Sequence, residues 1–221
     1  MNLRLYVCLF LLSFFYEARS QSALDTMRLS LQQKPQLFGK LDTRNSFISN
    51  SRAKIFGCKL GLDFANKLHF GLGYNQLYPP AKDFDEKIYF NTPTGLTDSS
   101  IASLKLFYIS THAEYAYYQT GNWNMSILLQ IGAGKTYYQY LQNSQKIRTN
   151  ESFIFIYEPA ISVEYKLIKW VGLGVDAGFR FMIADYRKIN GKFNSPTYAF
   201  KLLIYYNEIY KSVLKEIKKK A

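Results

Sequence analysis

Two-residue alternation of apolar with small or charged side chains is the feature that most restricts what this chain can fold into. In the clearest stretch, Val171 to Ile183, every odd-numbered position is apolar, and the even-numbered positions are glycines, Asp176, Arg180 and one methionine. Successive side chains of a β-strand point to opposite faces, so one face of this segment is continuously apolar. A soluble sandwich would turn its polar face to water, whereas a transmembrane barrel turns its apolar face to lipid.

Six further segments show the same period and predict strands at residues 56–64, 68–75, 107–117, 125–134, 158–167 and 200–206. An eighth strand is needed to bring the last strand back beside the first, and residues 27–41 are the candidate because alternation is present from Met27 to Leu31. Pro35 would have to lie at a bulge of that strand, and Pro159 raises the same concern in the sixth.

The connections between these segments differ in length in a regular way. Three are tight, around 65–66, 120–122 and 168–169, and four are longer and polar, at 42–51, 78–103, 142–151 and 187–195. Long and short connections alternate along the chain, which is typical of outer-membrane barrels. The sequence therefore predicts an all-β fold: an eight-stranded antiparallel up-and-down transmembrane barrel.

The N-terminal residues have the pattern of an export signal. Arg4 precedes an apolar run at 5–15, and Ala18 and Ser20 place small residues at a cleavage site. The apolar run is too short to span a bilayer, which needs roughly 20 residues. We expect a cleaved signal peptide at 1–20, a barrel at 21–206 and a basic tail at 207–221. The mature chain would keep Cys58 as its single cysteine, and no later segment predicts a transmembrane helix.

The signal segment, the eight-strand pattern and the closing strand YAFKLLIYY at 198–206 resemble the small outer-membrane β-barrel proteins of Gram-negative bacteria. The Tyr-rich stretches FGLGYNQLYPPAKDFD and FIYEPAISVEYK are similar to barrels of the Bacteroidota. The resemblance implies a location in the outer membrane and a fold, but no activity. This chain differs in continuing past the aromatic residue at which many such barrels end.

The inward faces of the predicted strands carry charges of both signs in nearly equal number, which indicates an ion-pair network that fills a narrow lumen. The expected members are Lys59, Asp63, His69, His112, Glu114, Glu158, Glu164, Lys166, Asp176, Arg180 and Lys201. A turn centred on Lys169 would place Glu158 opposite Arg180 and Ser162 opposite Asp176. A three-residue turn at 65–67 would place Asp63 beside His69.

Signals for chemistry are weak. Ser110, His112 and Glu114 share one strand face, but alternate residues stand about 6.6–7 Å apart, which is too far for a nucleophile and its base. The two histidines show no metal-ligand spacing, so neither a metal nor a cofactor is expected. The formal net charge of +12 is dispersed rather than clustered, which argues against nucleic acid.

The tail at 207–221 combines lysines with an apolar period of four residues and predicts a short basic amphipathic helix. The expected contact residues are Ile209, Lys211, Val213, Lys215, Ile217, Lys218, Lys219 and Lys220. Such a helix suits anionic headgroups or an acidic envelope partner; the alternative is a solvated tail that frays.

These features together favour a non-enzymatic outer-membrane barrel with a plugged lumen. Its expected partners are outer-membrane lipid and an envelope protein complex, such as a secretion or gliding apparatus, in which it is a structural or interaction component. The alternatives are an enzyme active at the barrel rim on lipid or peptide, and a narrow channel.

Overall fold

The computed structural model of the chain describes residues 23–48, 51–78, 85–91, 97–142, 145–184 and 193–220. The signal segment predicted at 1–20 lies outside these residues, as do parts of the four predicted long connections. The elements are α1 (23–31), β1 (Gln36–Ile48), β2 (Ser51–Phe64), β3 (Leu68–Leu77), β4 (Glu86–Asn91), β5 (Thr97–Thr120), β6 (Trp123–Gln142), β7 (Gln145–Lys166), β8 (Val171–Ala184), β9 (Ser195–Ile204) and α2 (Tyr206–Lys220).

Eight of the strands close into an antiparallel barrel. Consecutive strands pair around the sheet, β9 pairs back onto β1, and β3 pairs directly with β5. β4 stands outside this cylinder and forms a hairpin with the first residues of β5. The predicted fold class, including the short C-terminal helix, is confirmed.

The predicted first strand is wrong in its position. Residues 23–31 form α1, in which the Ser30 hydroxyl donates to the Thr26 carbonyl at 2.7 Å, and β1 begins at Gln36. The short alternation fits a strand, but Leu24, Met27 and Leu31 also share one face of a helix. Pro35 needs no bulge because it directly precedes the strand, where its missing N–H costs no ladder bond.

Two of the predicted long connections consist mostly of strand residues. β1 runs to Ile48 through the predicted connection at 42–51, and only residues 49–50 separate it from β2. Only residues 143–144 separate β6 from β7, in place of the predicted connection at 142–151. Polar composition suggested loops there, but a polar lumen accepts polar side chains on the inward face of a strand. The predicted connection at 78–103 contains β4 and the start of β5.

The tight turns lie where they were predicted, and we call the end of the barrel that carries them the proximal end. Ala65 and Asn66, in the three-residue turn between β2 and β3, both have positive φ, the conformation of the two central residues of a type I′ turn. Gly121 also has a positive φ, of 53°, between β5 and β6. The opposite end, which carries β4 and the tips of β1, β6 and β8, is the distal end.

The outer surface of the barrel is apolar. Leu72, Ile109 and Phe153 are each more than 60 % exposed, although they lie in the interior of regular strands. The inward positions of the same strands hold most of the buried charged residues. The distribution is the reverse of that in a water-soluble barrel, where exposed apolar surface of this extent does not occur.

None of the helices among the described residues is both long enough and apolar enough to cross a bilayer.

Candidate functional site

The lumen is occupied by a buried network of ion pairs to which β1 contributes the central members. The charged residues Lys40, Asp42 and Arg44 alternate along β1 and are each less than 5 % exposed. The sequence predicts none of the three at the lumen. Asp42 and Arg44 fall in the predicted connection at 42–51, and the alternation that predicts the first strand ends at Leu31, before Lys40. The signal that could have found them is the alternation of Lys40, Asp42 and Arg44 with Leu41 and Thr43.

The layer of the network nearer the proximal end is built around two lysines. Lys40 Nζ lies 2.7 Å from both Glu114 Oε2 and Glu164 Oε1, which reach it from β5 and β7. Lys201 Nζ, on β9, lies 2.8 Å from Glu164 Oε1 and 2.8 Å from Asp176 Oδ1. These contacts connect strands on opposite sides of the barrel, so the layer crosses the lumen rather than lining it.

The layer nearer the distal end is built around two arginines and Glu158. Arg180 Nε donates to Glu158 Oε1 at 2.5 Å, and Arg44 donates to the other oxygen of the same carboxylate. Arg44 also lies 3.2 Å from Asp42 Oδ2, which in turn is 3.0 Å from Lys59 Nζ. The guanidinium of Arg180 is completely buried, so its charge depends on Glu158 for compensation.

The predicted alignments of strand partners are confirmed. Ser162 lies opposite Asp176 in the β7–β8 register, and Glu158 and Arg180 form the ion pair just described. Asp63 lies opposite His69 across the β2–β3 hairpin, with His69 Nε2 3.3 Å from Asp63 Oδ1. On its other side, His69 Nδ1 is 3.7 Å from Glu114 Oε2, which joins the hairpin to the proximal layer.

Two of the predicted members lie in the lumen without taking part in an ion pair among the described residues. His112 is buried, and neither of its ring nitrogens has a hydrogen-bond partner in the described part of the chain. Its ring packs edge-on against Phe38, with centroids 6.0 Å apart. Lys166 is half-buried at the proximal mouth, where its ammonium lies 4.9 Å from the centre of the Tyr205 ring.

A close approach of two strands explains the space that His112 fills. Gly61 and Gly71 lie directly opposite each other on β2 and β3. A Cβ on Gly71 would come within 2.4 Å of the Leu60 carbonyl oxygen and within 2.7 Å of the His112 ring. The imidazole therefore occupies the volume that a larger residue at Gly71 would take, which is a packing role.

The residues considered for a hydrolase do not form a catalytic arrangement. The Ser110 hydroxyl accepts a hydrogen bond from Asn75 Nδ2 at 2.9 Å, and within the described part of the chain it makes no hydrogen bond with His112. Glu114 is held by Lys40 and by the Ser126 hydroxyl. Within the described residues, no group of three or more His, Cys, Asp or Glu side chains is arranged to hold a metal.

The lumen differs on the two sides of the network: apolar side chains fill its distal side, and a cavity lies on its proximal side. On the distal side, an apolar cluster that includes Ile55, Leu106, Ile154 and Phe193 is almost completely buried inside the wall of strands. On the proximal side, a cavity of about 290 Å³ lies below the network, lined by Lys40, Asp63, His69, Glu164 and Tyr205 among others. The charged layers and the apolar cluster lie between this cavity and the distal end.

The C-terminal helix is attached to the proximal rim. Tyr206, its first residue, packs its ring against Gly39 of β1, since a Cβ at that glycine would lie 2.8 Å from the ring. Trp170 Nε1, in the β7–β8 turn, donates to the Ser212 hydroxyl at 3.2 Å. Of the predicted contact residues, Ile209, Lys211, Val213 and Lys215 are exposed, and the side chains of Ile217, Lys218, Lys219 and Lys220 lie outside the described part.

The structure is similar to those of small outer-membrane barrels. The neisserial surface protein A shares 14% identity over 77% of this chain and 96% of its own, with a TM-score of 0.45. Ail, the attachment invasion locus protein of Yersinia pestis, shares 12% identity over 78% of this chain and 99% of its own, with a TM-score of 0.45. The N-terminal barrel domain of Pseudomonas aeruginosa OprF shares 8% identity over 77% of this chain and 98% of its own, with a TM-score of 0.44.

No protein-family model matches the sequence, and neither does any curated protein. The structure is a closed eight-stranded antiparallel barrel with an apolar exterior and a lumen that holds a buried network of ion pairs.

Proposed function

We propose that the protein is a non-enzymatic integral barrel of the bacterial outer membrane, with a lumen that does not conduct. In this proposal it acts as a structural or interaction component of the cell envelope. The observation that carries the proposal is the pair of charged layers crossing the lumen, in which Lys40 and Arg44 of one strand hold carboxylates of β5 and β7. A pore would need that cross-section to be open.

The inverted distribution of apolar and charged residues supports the membrane location. Every backbone group of a closed barrel is paired within the sheet, which is the condition for crossing lipid with strands. Exposed aliphatic and aromatic side chains such as Leu72, Ile109 and Phe153 would be unfavourable in water and are favourable against acyl chains. We infer that the proximal end faces the periplasm, because short turns lie on that side of outer-membrane barrels.

The packing around His112 supports a role without catalysis. A general base needs to reach the proton that it removes. The imidazole of His112 instead lies against Phe38, and Ser110 is engaged by Asn75. An assay of lipid and peptide hydrolysis should therefore show no activity that depends on His112. Activity that is lost in His112→Ala, in a barrel that still folds, would contradict this part of the proposal.

The partner surface that we propose is helix α2. It leaves the exposed side chains of Tyr210 and Val213 beside Lys211 and Lys215, while the Trp170–Ser212 hydrogen bond fixes it at the proximal rim. An apolar face flanked by lysines fits an acidic periplasmic protein better than it fits water.

The test is chemical crosslinking in intact outer membranes, followed by capture of the barrel. We expect a periplasmic protein to crosslink to the wild-type chain and to be lost in Val213→Asp. Lys67→Gln, at a proximal turn away from α2, serves as the control and should retain it. The same crosslinks in Val213→Asp as in the wild type would rule out α2 as the partner surface.

A further inference from the structure

One side of the barrel carries a cluster of cations at the distal edge of its apolar surface. On β6, the outward positions from Trp123 to Ala133 are mostly apolar, and Lys135 is the first charged one. This run has the length that a tilted strand needs to cross a bilayer, about 9–11 residues. The outward face of β5 changes at the same level, from Ile109 and Phe107 to Lys105.

The cluster continues around the wall formed by β5, β6 and β7. Lys105 lies opposite Tyr137, and the guanidinium of Arg148, on β7, lies 4.7 Å from the centre of that tyrosine ring. Lys146 follows at the tip of the same hairpin, opposite Leu141. We call Lys105, Lys146 and Arg148 the wall cations.

Among the described residues of this wall, the wall cations have no carboxylate partner, whereas their neighbour Lys135 has one. Lys135 is paired with Glu151 of β7. Among the described residues, Lys105, Lys146 and Arg148 have no carboxylate within salt-bridge distance, unlike Lys40 and Lys59 in the lumen. Cations on one wall without carboxylate partners favour the binding of an anion from outside the chain.

A shallow depression lies beside these cations and offers neutral donors. It is lined by Ser99, Ser100, Ser103, Lys105, Gln139 and Lys146, among others, with a volume of about 510 Å³. Hydroxyl, amide and ammonium groups together are the donors that bind phosphate oxygens. Directly proximal to the depression, the outward side chains of Phe107, Ile109 and Phe153 offer an apolar surface to acyl chains.

From this geometry we propose that the wall cations and the adjoining depression bind the phosphate group of a membrane lipid in the distal leaflet. The acyl chains of that lipid lie against the apolar wall on the proximal side of Lys105, and its headgroup phosphate accepts from Lys105, Lys146 and the Ser103 hydroxyl. The opposite wall, formed by β8, β9 and β1, has no charged residue on its described outward strand positions, so the site belongs to one side of the barrel.

The experiment uses the full chain refolded in phosphatidylcholine vesicles, with spin-labelled phosphatidic acid or spin-labelled phosphatidylcholine as the probe. Electron spin resonance measures the fraction of each probe immobilised at the barrel. We expect phosphatidic acid to be retained about threefold to tenfold more strongly than phosphatidylcholine. Lys105→Gln with Lys146→Gln should reduce this preference to near unity, and Lys105→Arg should keep it.

The matched control is Arg52→Gln with Lys54→Gln, which removes the same charge from the outward face of β2 near the distal end and should leave the preference unchanged. An equal loss in both double variants would indicate general electrostatics and overturn the site. Displacement of the labelled lipid by an equal concentration of inorganic phosphate would identify a free anion as the ligand and would also overturn the proposal.

The inference rests on the proposed membrane location, and the two fail differently. A chain that inserts into vesicles and migrates faster without heating, but shows no preference for phosphatidic acid, refutes the lipid site alone. A chain that does not insert refutes the membrane location.

Discussion

Glu158 shares its carboxylate between two buried guanidinium groups, and its neighbours show how the lumen tolerates charge. Arg180 and Arg44 each take one oxygen, and the Gln130 amide donates to the carboxylate at 3.1 Å. The desolvation of these groups is offset only while all of them are present. The contribution of each network residue to stability therefore depends on the presence of its charged partners.

A double-mutant cycle on Glu158 and Arg180 measures this dependence. Glu158→Gln should lower the free energy of unfolding by about 3–5 kcal/mol, because it leaves the buried Arg180 without a carboxylate partner. Arg180→Gln should cost less, because Arg44 still pairs with Glu158. The double variant should lose less than the sum of the two, since Arg44 keeps Asp42 as a partner. Urea unfolding followed by tryptophan fluorescence gives the values, and strict additivity would count against the pairing.

The glycine contact between β2 and β3 gives a second residue-scale prediction. Gly71→Ala should destabilise the barrel by about 1–3 kcal/mol, because the new methyl group would meet a backbone oxygen that cannot move aside. Gly172→Ala is the control, since its nearest neighbour, the Tyr165 carbonyl oxygen, would lie 3.1 Å away. Equal losses in the two variants, in the same unfolding assay, would mean that the close approach at Gly71 is unimportant.

At the scale of elements, β1 and α2 meet at the seam where the barrel closes. β1 pairs with β9 from Gly39 to Asn45, and Tyr206 covers Gly39 at the proximal end of that seam. β1 also supplies Lys40 to the proximal charged layer and Arg44 to the distal one. The seam is therefore held by backbone pairing, by ion pairs across the lumen and by one aromatic ring.

Truncation after Tyr206 separates the seam from the rest of the helix. The shortened chain keeps every strand and the ring on Gly39, and it loses the Trp170–Ser212 hydrogen bond. We expect it to fold and to migrate faster on unheated gels than after boiling, as the full chain should. A further truncation that removes Tyr206 as well should fold in lower yield. Failure of the first truncation to fold would show that α2 is part of the barrel's stability.

At the scale of the whole molecule, sequence periodicity predicted the barrel better than it predicted the ends of its strands. Outward apolar positions such as those from Val171 to Ile183 report lipid or core contact directly, so seven strands could be located. β1 could not, because its outward face includes Thr43 and Asn45 and its inward face carries Lys40, Asp42 and Arg44. Because polar residues lie on both faces, the sequence of this strand resembles that of a loop. Its strand conformation follows from barrel closure, in which it pairs with β9.

The network was predictable in kind but not in its connections. Alternation placed Glu114, Glu164 and Lys201 inside, yet the residue that joins the first two, Lys40, comes from the misassigned strand. The distal apolar cluster was missed for a related reason. Near the distal edge of the apolar outer surface, Ile154 and Ile156 are buried while Phe153 and Phe155 are exposed, so neither face of that stretch is polar.

Single-channel recording in a planar lipid bilayer tests the central claim, that charged layers and an apolar cluster seal the lumen. The refolded full chain should insert and show no conductance above the baseline of the bare membrane at any applied voltage. Arg44→Ala with Arg180→Ala removes the two largest cations of the distal layer and provides the comparison, since any current should first appear there. Discrete conductance steps from the wild-type chain would contradict the account.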